Sequence, residues 1–158
     1  MSKATRATRA LEQAGIAFSL QSYDYDPDAD RIGLQAAEAL GALPAEVLKT
    51  LMAKLEGKRV YVILPSDETV SMKKLAAALG GKSPPQIMPP PEAERLSGYK
   101  VGGISLFGHM RRLPVAIEAV ALAYPQISIN GGQRGLQIRL APSDAAAFLA
   151  ATVAPLTA

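Results

Sequence analysis

Residues 59–64, Arg-Val-Tyr-Val-Ile-Leu, read as a strand that is apolar on both faces. Side chains alternate across a strand, so such a run belongs in a sheet covered on both sides. The preceding run, 47–55, also alternates as a strand, and Gly57 lies in the turn between the two. The fold must therefore supply two layers of covering structure, and the rest of the chain offers them.

Ala4, Ala7, Leu11 and Ala14 recur at helical spacing, with Gly15 as a stop. Residues 18–22 alternate as a strand, 24–30 form an acidic loop, and 34–40 a short helix closed by Gly41. Ser71 can cap a helix whose apolar face is Met72, Leu75, Ala76 and Leu79. Five prolines in 83–91 leave room only for an edge strand around 86–88, and 91–96 can form a short helix. Strands follow at 113–118, 126–129 and 136–140, the last two joined through Gly131-Gly132, and a final helix is predicted over 143–152. Non-consecutive strands with peripheral helices predict an α+β fold, with a strongly curved mixed β-sheet or barrel flanked by α-helices.

At 158 residues the chain reads as a single domain, 1–158. It has no cysteine and one histidine, which excludes disulfides and makes a zinc site a poor fit; no metal or cofactor is expected. The start of the chain lacks a secretory signal and no run is apolar for long enough to span a membrane, so a cytoplasmic location and no membrane partner are expected. The net charge is +3 and the pI about 9.3, compatible with a nucleic-acid partner or with a solvated basic surface.

Two features could carry chemistry. On the strand 47–55, Lys49 shares a face with Val47, Leu51, Ala53 and Leu55, and is the only charge there. Such a lysine either serves a ligand cavity or extends its ammonium to the rim. The stretch 98–108 packs four glycines into eleven residues beside His109, Arg111 and Arg112. Its backbone N–H groups could cradle an anion or a developing oxyanion, or Gly102-Gly103 could simply make a tight turn. It matches neither the P-loop nor the dinucleotide fingerprint. The alternating Asp24, Asp26, Asp28 and Asp30 fail the EF-hand pattern in either register and read as a solvated loop. His109 has no nucleophile-elbow motif to serve.

Phe18 to Pro27 (FSLQSYDYDP), Val47 to Leu51 (VLKTL), Ser97 to Ser105 (SGYKVGGIS), Arg112-Leu113-Pro114 and Gly131 to Leu136 (GGQRGL) occur in this order. Together they resemble the YbaK/EbsC family of aminoacyl-tRNA deacylases, related to the editing domain inserted in bacterial prolyl-tRNA synthetase. The resemblance spans almost the whole chain. It implies a curved, helix-flanked sheet and the removal of a mischarged amino acid from tRNA in trans, cysteine from Cys-tRNA(Pro) above all. It places the family's lysine on Lys49, holding the phosphate or 3′ end of the tRNA. The substrate loop falls on Gly102, Gly103, Ile104, Ser105 and Leu106, and the pocket tyrosine on Tyr23. In the cysteine-specific branch the substrate's own thiol attacks the ester, which suits a protein without a side-chain nucleophile.

The chain departs from the family at two places. Leu106 stands where the loop usually has proline, and Gln137 where a cysteine-specific member has aspartate. Both bear on amino-acid specificity rather than on the fold. The resemblance implies aminoacyl-tRNA as the partner, with prolyl-tRNA synthetase as a candidate source of tRNA selectivity. The alternatives are a deacylase for another small residue such as alanine, a non-catalytic tRNA- or synthetase-binding module, and a small-molecule-binding protein.

Overall fold

The computed structural model describes residues 4–26, 28, 32–97, 105–108 and 114–158. In chain order they form α1 (Arg6–Gln13), β1 (Ser19–Ser22), α2 (Ile32–Leu40), β2 (Leu48–Leu55), β3 (Lys58–Pro65), α3 (Met72–Ala78) and β4 (Gln86–Ile87). Then come α4 (Pro90–Ser97), β5 (Val115–Glu118), β6 (Ile127–Asn130), β7 (Leu136–Leu140), α5 (Pro142–Leu149) and β8 (Thr152–Ala154). Short 3-10 turns at Pro44–Glu46 and Ala119–Ala123 lead into β2 and out of β5.

The β2–β3 hairpin is the centre of the fold. Its turn residues Glu56 and Gly57 both have positive φ, at 52° and 80°, the backbone twist that a two-residue hairpin requires. That turn sets the register, from Leu55 opposite Lys58 to Leu48 opposite Pro65. β3 pairs antiparallel with β2 and parallel with β5. Tyr61 and Ile63 enter one core with Leu48, Met52 and Ile117. Val60, Val62 and Leu64 enter a second with Leu75 and Ala76 of α3 and Leu156. The double covering inferred from the sequence is thus realised, with α3 in the second layer. Ser71 caps α3 by accepting the Lys74 N–H at 3.2 Å.

The larger sheet runs β4-β2-β3-β5-β8 and the smaller β1-β7-β6. A parallel bridge between Val47 and Ser128 joins them. The main core spans both, taking Leu48 and Met52 from the larger sheet and Ile127, Ile129, Ile138 and Leu140 from the smaller. Among the described residues the mixed sheet therefore wraps around the main core without closing into a barrel, with β1, β4 and β8 at its edges.

The expected helix over 143–152 needs correction. It stops at Leu149, Ala150 turns left-handed at φ 50°, and Thr152–Ala154 pairs parallel with β5. Two β-branched residues, Thr152 and Val153, favour the strand there. Glu118, which sequence patterning shows only as an interruption in an apolar run, anchors this C-terminal segment. Its buried carboxylate accepts N–H bonds from Val120 (2.8 Å), Leu156 (2.7 Å) and Thr157 (3.2 Å). Among the described residues no helix is long and apolar enough to cross a membrane.

Candidate functional site

The smaller sheet has one apolar face, on the main core, and one polar face. Pairing orders that polar face into rows. Ser19, Arg139, Ser128 and Val47 stand side by side, because Ser19 and Ser128 both pair with Arg139 and Val47 bridges Ser128. One step along, Gln21 and Asn130 flank Gln137. Strand alternation from Val47 puts Lys49 on this same face, at the level of Asn130. The next step reaches Tyr23, whose N–H donates to the Gly135 carbonyl at 2.9 Å. Lys49, Gln137 and Tyr23, distant in sequence, thus share one face of the composite sheet. That face is opposite the main core.

Its walls are small. Ala36 and Ala37 of α2 form a small cluster with Val47, and Tyr23 and Ala42 pack against it. Burial, and next the neighbouring Tyr25, push the Tyr23 hydroxyl above its ordinary 10, outweighing its hydrogen bonds to the Gln137 side chain and at Gly135. Tyr23 therefore keeps its proton at neutral pH. Gln137 is 4% exposed, and its Oε1 has no hydrogen-bond partner among the described residues. A buried amide oxygen left unpaired costs about 1–3 kcal/mol. It is an acceptor ready for a donor brought by a ligand.

The turn 131–135 shapes one end. Asn130 Oδ1 accepts the Gly132 N–H at 2.8 Å, and the Thr5 hydroxyl at the start of α1 donates to the Gly131 carbonyl at 2.6 Å. The Arg134 guanidinium lies 4.7 Å over the Tyr25 ring, a cation–π contact that ties the turn to the segment after β1. Gly135 has φ +81°, and a Cβ there would sit 2.5 Å from the Tyr23 carbonyl oxygen. Gly135→Ala is expected to cost about 3 kcal/mol, combining left-handed strain with a backbone clash. Chemical denaturation checks the loss, and a weakened Tyr23 environment in near-ultraviolet spectra checks its location.

The glycine stretch is represented by its end. Gly102, Gly103 and Ile104 lie outside the described residues, as does His109. Ser105 and Leu106 are 1% and 7% exposed. Leu106 and Phe107 pack in the main core, where the Phe107 ring meets Phe148 edge-on at 5.8 Å. Ser105 Oγ has no hydrogen-bond partner among the described residues, nor does Thr50 Oγ1 on the core side of β2.

Sequence patterning missed the other polar members of the face. Arg139 donates from NH1 to Ser128 Oγ at 3.2 Å, and Ser128 Oγ donates to Gln21 Oε1 at 3.3 Å. Arg139 NH2 lies 3.8 Å from the Glu46 carboxylate. The signal was present in the alternation of β7, apolar at Leu136, Ile138 and Leu140 and polar at Gln137 and Arg139. Among the described residues no three metal-ligating side chains cluster. Among the described residues the face carries the cations of Lys49 and Arg139, the Glu46 carboxylate beside Arg139, neutral amides and a protonated phenol, groups able to orient an anionic, carbonyl-bearing ligand.

Comparison with known proteins follows the same line. Residues 26–148 match the family model described as an aminoacyl-tRNA editing domain. The chain is 30% identical over 142 residues to EbsC of Enterococcus faecalis, provisionally named a Cys-tRNA(Pro)/Cys-tRNA(Cys) deacylase; the match covers 87% of this chain and 84% of that one. It is 26% identical over 115 residues to YwhH of Bacillus subtilis, covering 72% of each, and that name carries no function. A crystal structure described provisionally as a trans-editing enzyme for prolyl-tRNA synthetase superposes with a TM-score of 0.83 at 26% identity, over 100% of this chain and 98% of that one. A second, of a hypothetical protein, superposes at 0.85 with 20% identity and speaks to the fold alone.

Proposed function

This chain belongs to the aminoacyl-tRNA editing domain family, and from that premise we propose that it deacylates mischarged tRNA in trans, releasing cysteine from Cys-tRNA(Pro). The observation that carries the reading is the gathering of Lys49, Gln137 and Tyr23 on one face, with the buried Gln137 Oε1 awaiting a donor. The names of EbsC and of the trans-editing structure support the substrate.

In this reading Lys49 holds a phosphate at the tRNA 3′ end. Gln137 and the protonated Tyr23 fix the amino acid, Gln137 Oε1 accepting from its ammonium. The backbone of Gly102 and Gly103 cradles the ester carbonyl, with Ile104 and Ser105 beside it, while Leu106, seated in the main core, anchors the end of that loop. The substrate's thiol loses its proton and attacks its own ester carbon. A C–S bond forms, the C–O bond to the ribose breaks, and the ribose oxygen takes up a proton. The products are free tRNA and a cyclic thiolactone, which water opens to cysteine. The protein's part is orientation and exclusion of water, worth orders of magnitude without a side-chain nucleophile. Prolyl-tRNA synthetase is the proposed partner in tRNA selection, and the cytoplasm the proposed location.

S-methylation of the cysteinyl group tests the thiol step. Turnover is expected to fall at least about 100-fold, the scale of losing an aligned intramolecular nucleophile. Equal release of cysteine and S-methylcysteine would instead establish attack by water, and with it a deacylase for small residues generally.

A further inference from the structure

The polar face carries a second cation, Arg139, most of whose donors are uncommitted among the described residues. Arg139 sits in the row next to Gln137 on β7, its side chain 25% exposed. Its inner edge is fixed by Ser128 Oγ, which is itself fully buried and bonded to Gln21. Its outer edge faces Glu46 at 3.8 Å, a charge contact beyond hydrogen-bond length. A guanidinium has five N–H donors in a planar fork, and among the described residues one is spent on a hydrogen bond. Serine, buried and neutral, orients the fork without neutralising it.

The position matters as much as the chemistry. Rows along a sheet face are about 7 Å apart and neighbouring strands about 5 Å. Arg139 and Lys49 are one row and two strands apart, so their Cα atoms lie about 12 Å from one another across the amides of Gln137 and Asn130. Two cations this far apart on one face suit a strand whose phosphodiesters follow one another on one side of its neutral ester. The planar fork is the better of the two cations for binding a phosphate through paired N–H bonds.

We propose that Arg139 is a second phosphate contact, binding a phosphodiester of the tRNA 3′ strand while Lys49 binds nearer the ester. This rests on the deacylase reading for the identity of the ligand. It also predicts that Glu46 competes with that phosphate. Removing its charge should tighten binding rather than weaken it.

The test is binding of uncharged tRNA(Pro) across a series of salt concentrations, with the wild type, Arg139→Gln, Arg139→Lys and Glu46→Gln. Arg139→Gln is expected to weaken binding about tenfold at low salt and to flatten the slope of log K against log salt by about 0.7, one single-strand phosphate contact. Arg139→Lys should restore the slope. Glu46→Gln should tighten binding two- to threefold at an unchanged slope, roughly the release of one competing surface charge. In turnover, Arg139→Gln should raise KM with kcat within about twofold, as loss of uniform binding does. An unchanged salt slope in Arg139→Gln would overturn the proposal. So would Glu46→Gln weakening binding as Arg139→Gln does, because the ion pair would then be structural. Should the wild type bind tRNA through Arg139 but cleave no aminoacyl ester, the phosphate contact stands and the deacylase reading falls.

Discussion

Lys49→Ala is expected to leave the protein folded and to lower the rate of deacylation at least about 100-fold, the scale of losing one preorganised charge contact. The lysine sits one residue into β2, half-buried, on the face that also carries Gln137 and Tyr23. The packing of β2 depends instead on Leu48 and Met52 in the main core and on Ala53 and Leu55 in the second. Truncating Lys49 therefore removes a charge and an aliphatic stem but no core side chain, and unfolding midpoints should move by no more than about 1 kcal/mol equivalent. Lys49→Arg keeps the charge in a different shape and should recover binding before it recovers rate. Near-normal turnover in Lys49→Ala would remove this residue from the mechanism.

A loss of stability as large as that of Gly135→Ala is expected at Glu118. Burial pushes its carboxyl upward, but the backbone N–H bonds from Leu156, Val120 and Thr157 outweigh burial and hold its pKa below the ordinary 4.5. Glu118→Ala leaves those donors without the acceptor that ties the segment after β8 to the end of β5, and should cost about 3 kcal/mol. Because the folded-state pKa is depressed, the carboxylate's charge-dependent contribution is fully present above 4.5 and is lost as pH falls through the folded value. Denaturation of the wild type and the variant at pH 7 should show the full difference, and the difference should shrink as pH is taken below 4.5. A difference independent of pH would mean that packing, not the carboxylate, holds the segment.

Different physical causes separate what was legible in the sequence from what was not. The β2–β3 hairpin was readable because its signals are local: alternation on both strands and Gly57 at a position needing positive φ. Ser71 announced α3 for the same reason. β8 was not readable, since three residues directly after a helix carry little pattern and its pairing with β5 is a long-range event. Glu118 was hidden because its partners are backbone N–H groups up to 39 residues away, which leave no trace in residue type.

The site divides similarly. Lys49 stood out as the lone charge on an apolar strand face, and Tyr23 and Gln137 came from resemblance to known deacylases. Their assembly depends on the Val47–Ser128 bridge between the two sheets, which no local pattern encodes. Arg139 was overlooked although the period-2 pattern of β7 placed it beside Gln137. Its meaning appears only when the rows of the sheet are aligned.

The central claim is that this face releases cysteine from tRNA. The most direct measurement is deacylation of Cys-tRNA(Pro) and Ala-tRNA(Pro), side by side, by the purified wild-type chain. Rapid loss of the cysteinyl ester is expected, with the alanyl ester nearly untouched. Loss of the alanyl ester at an equal rate, or of neither from a folded protein, would contradict it.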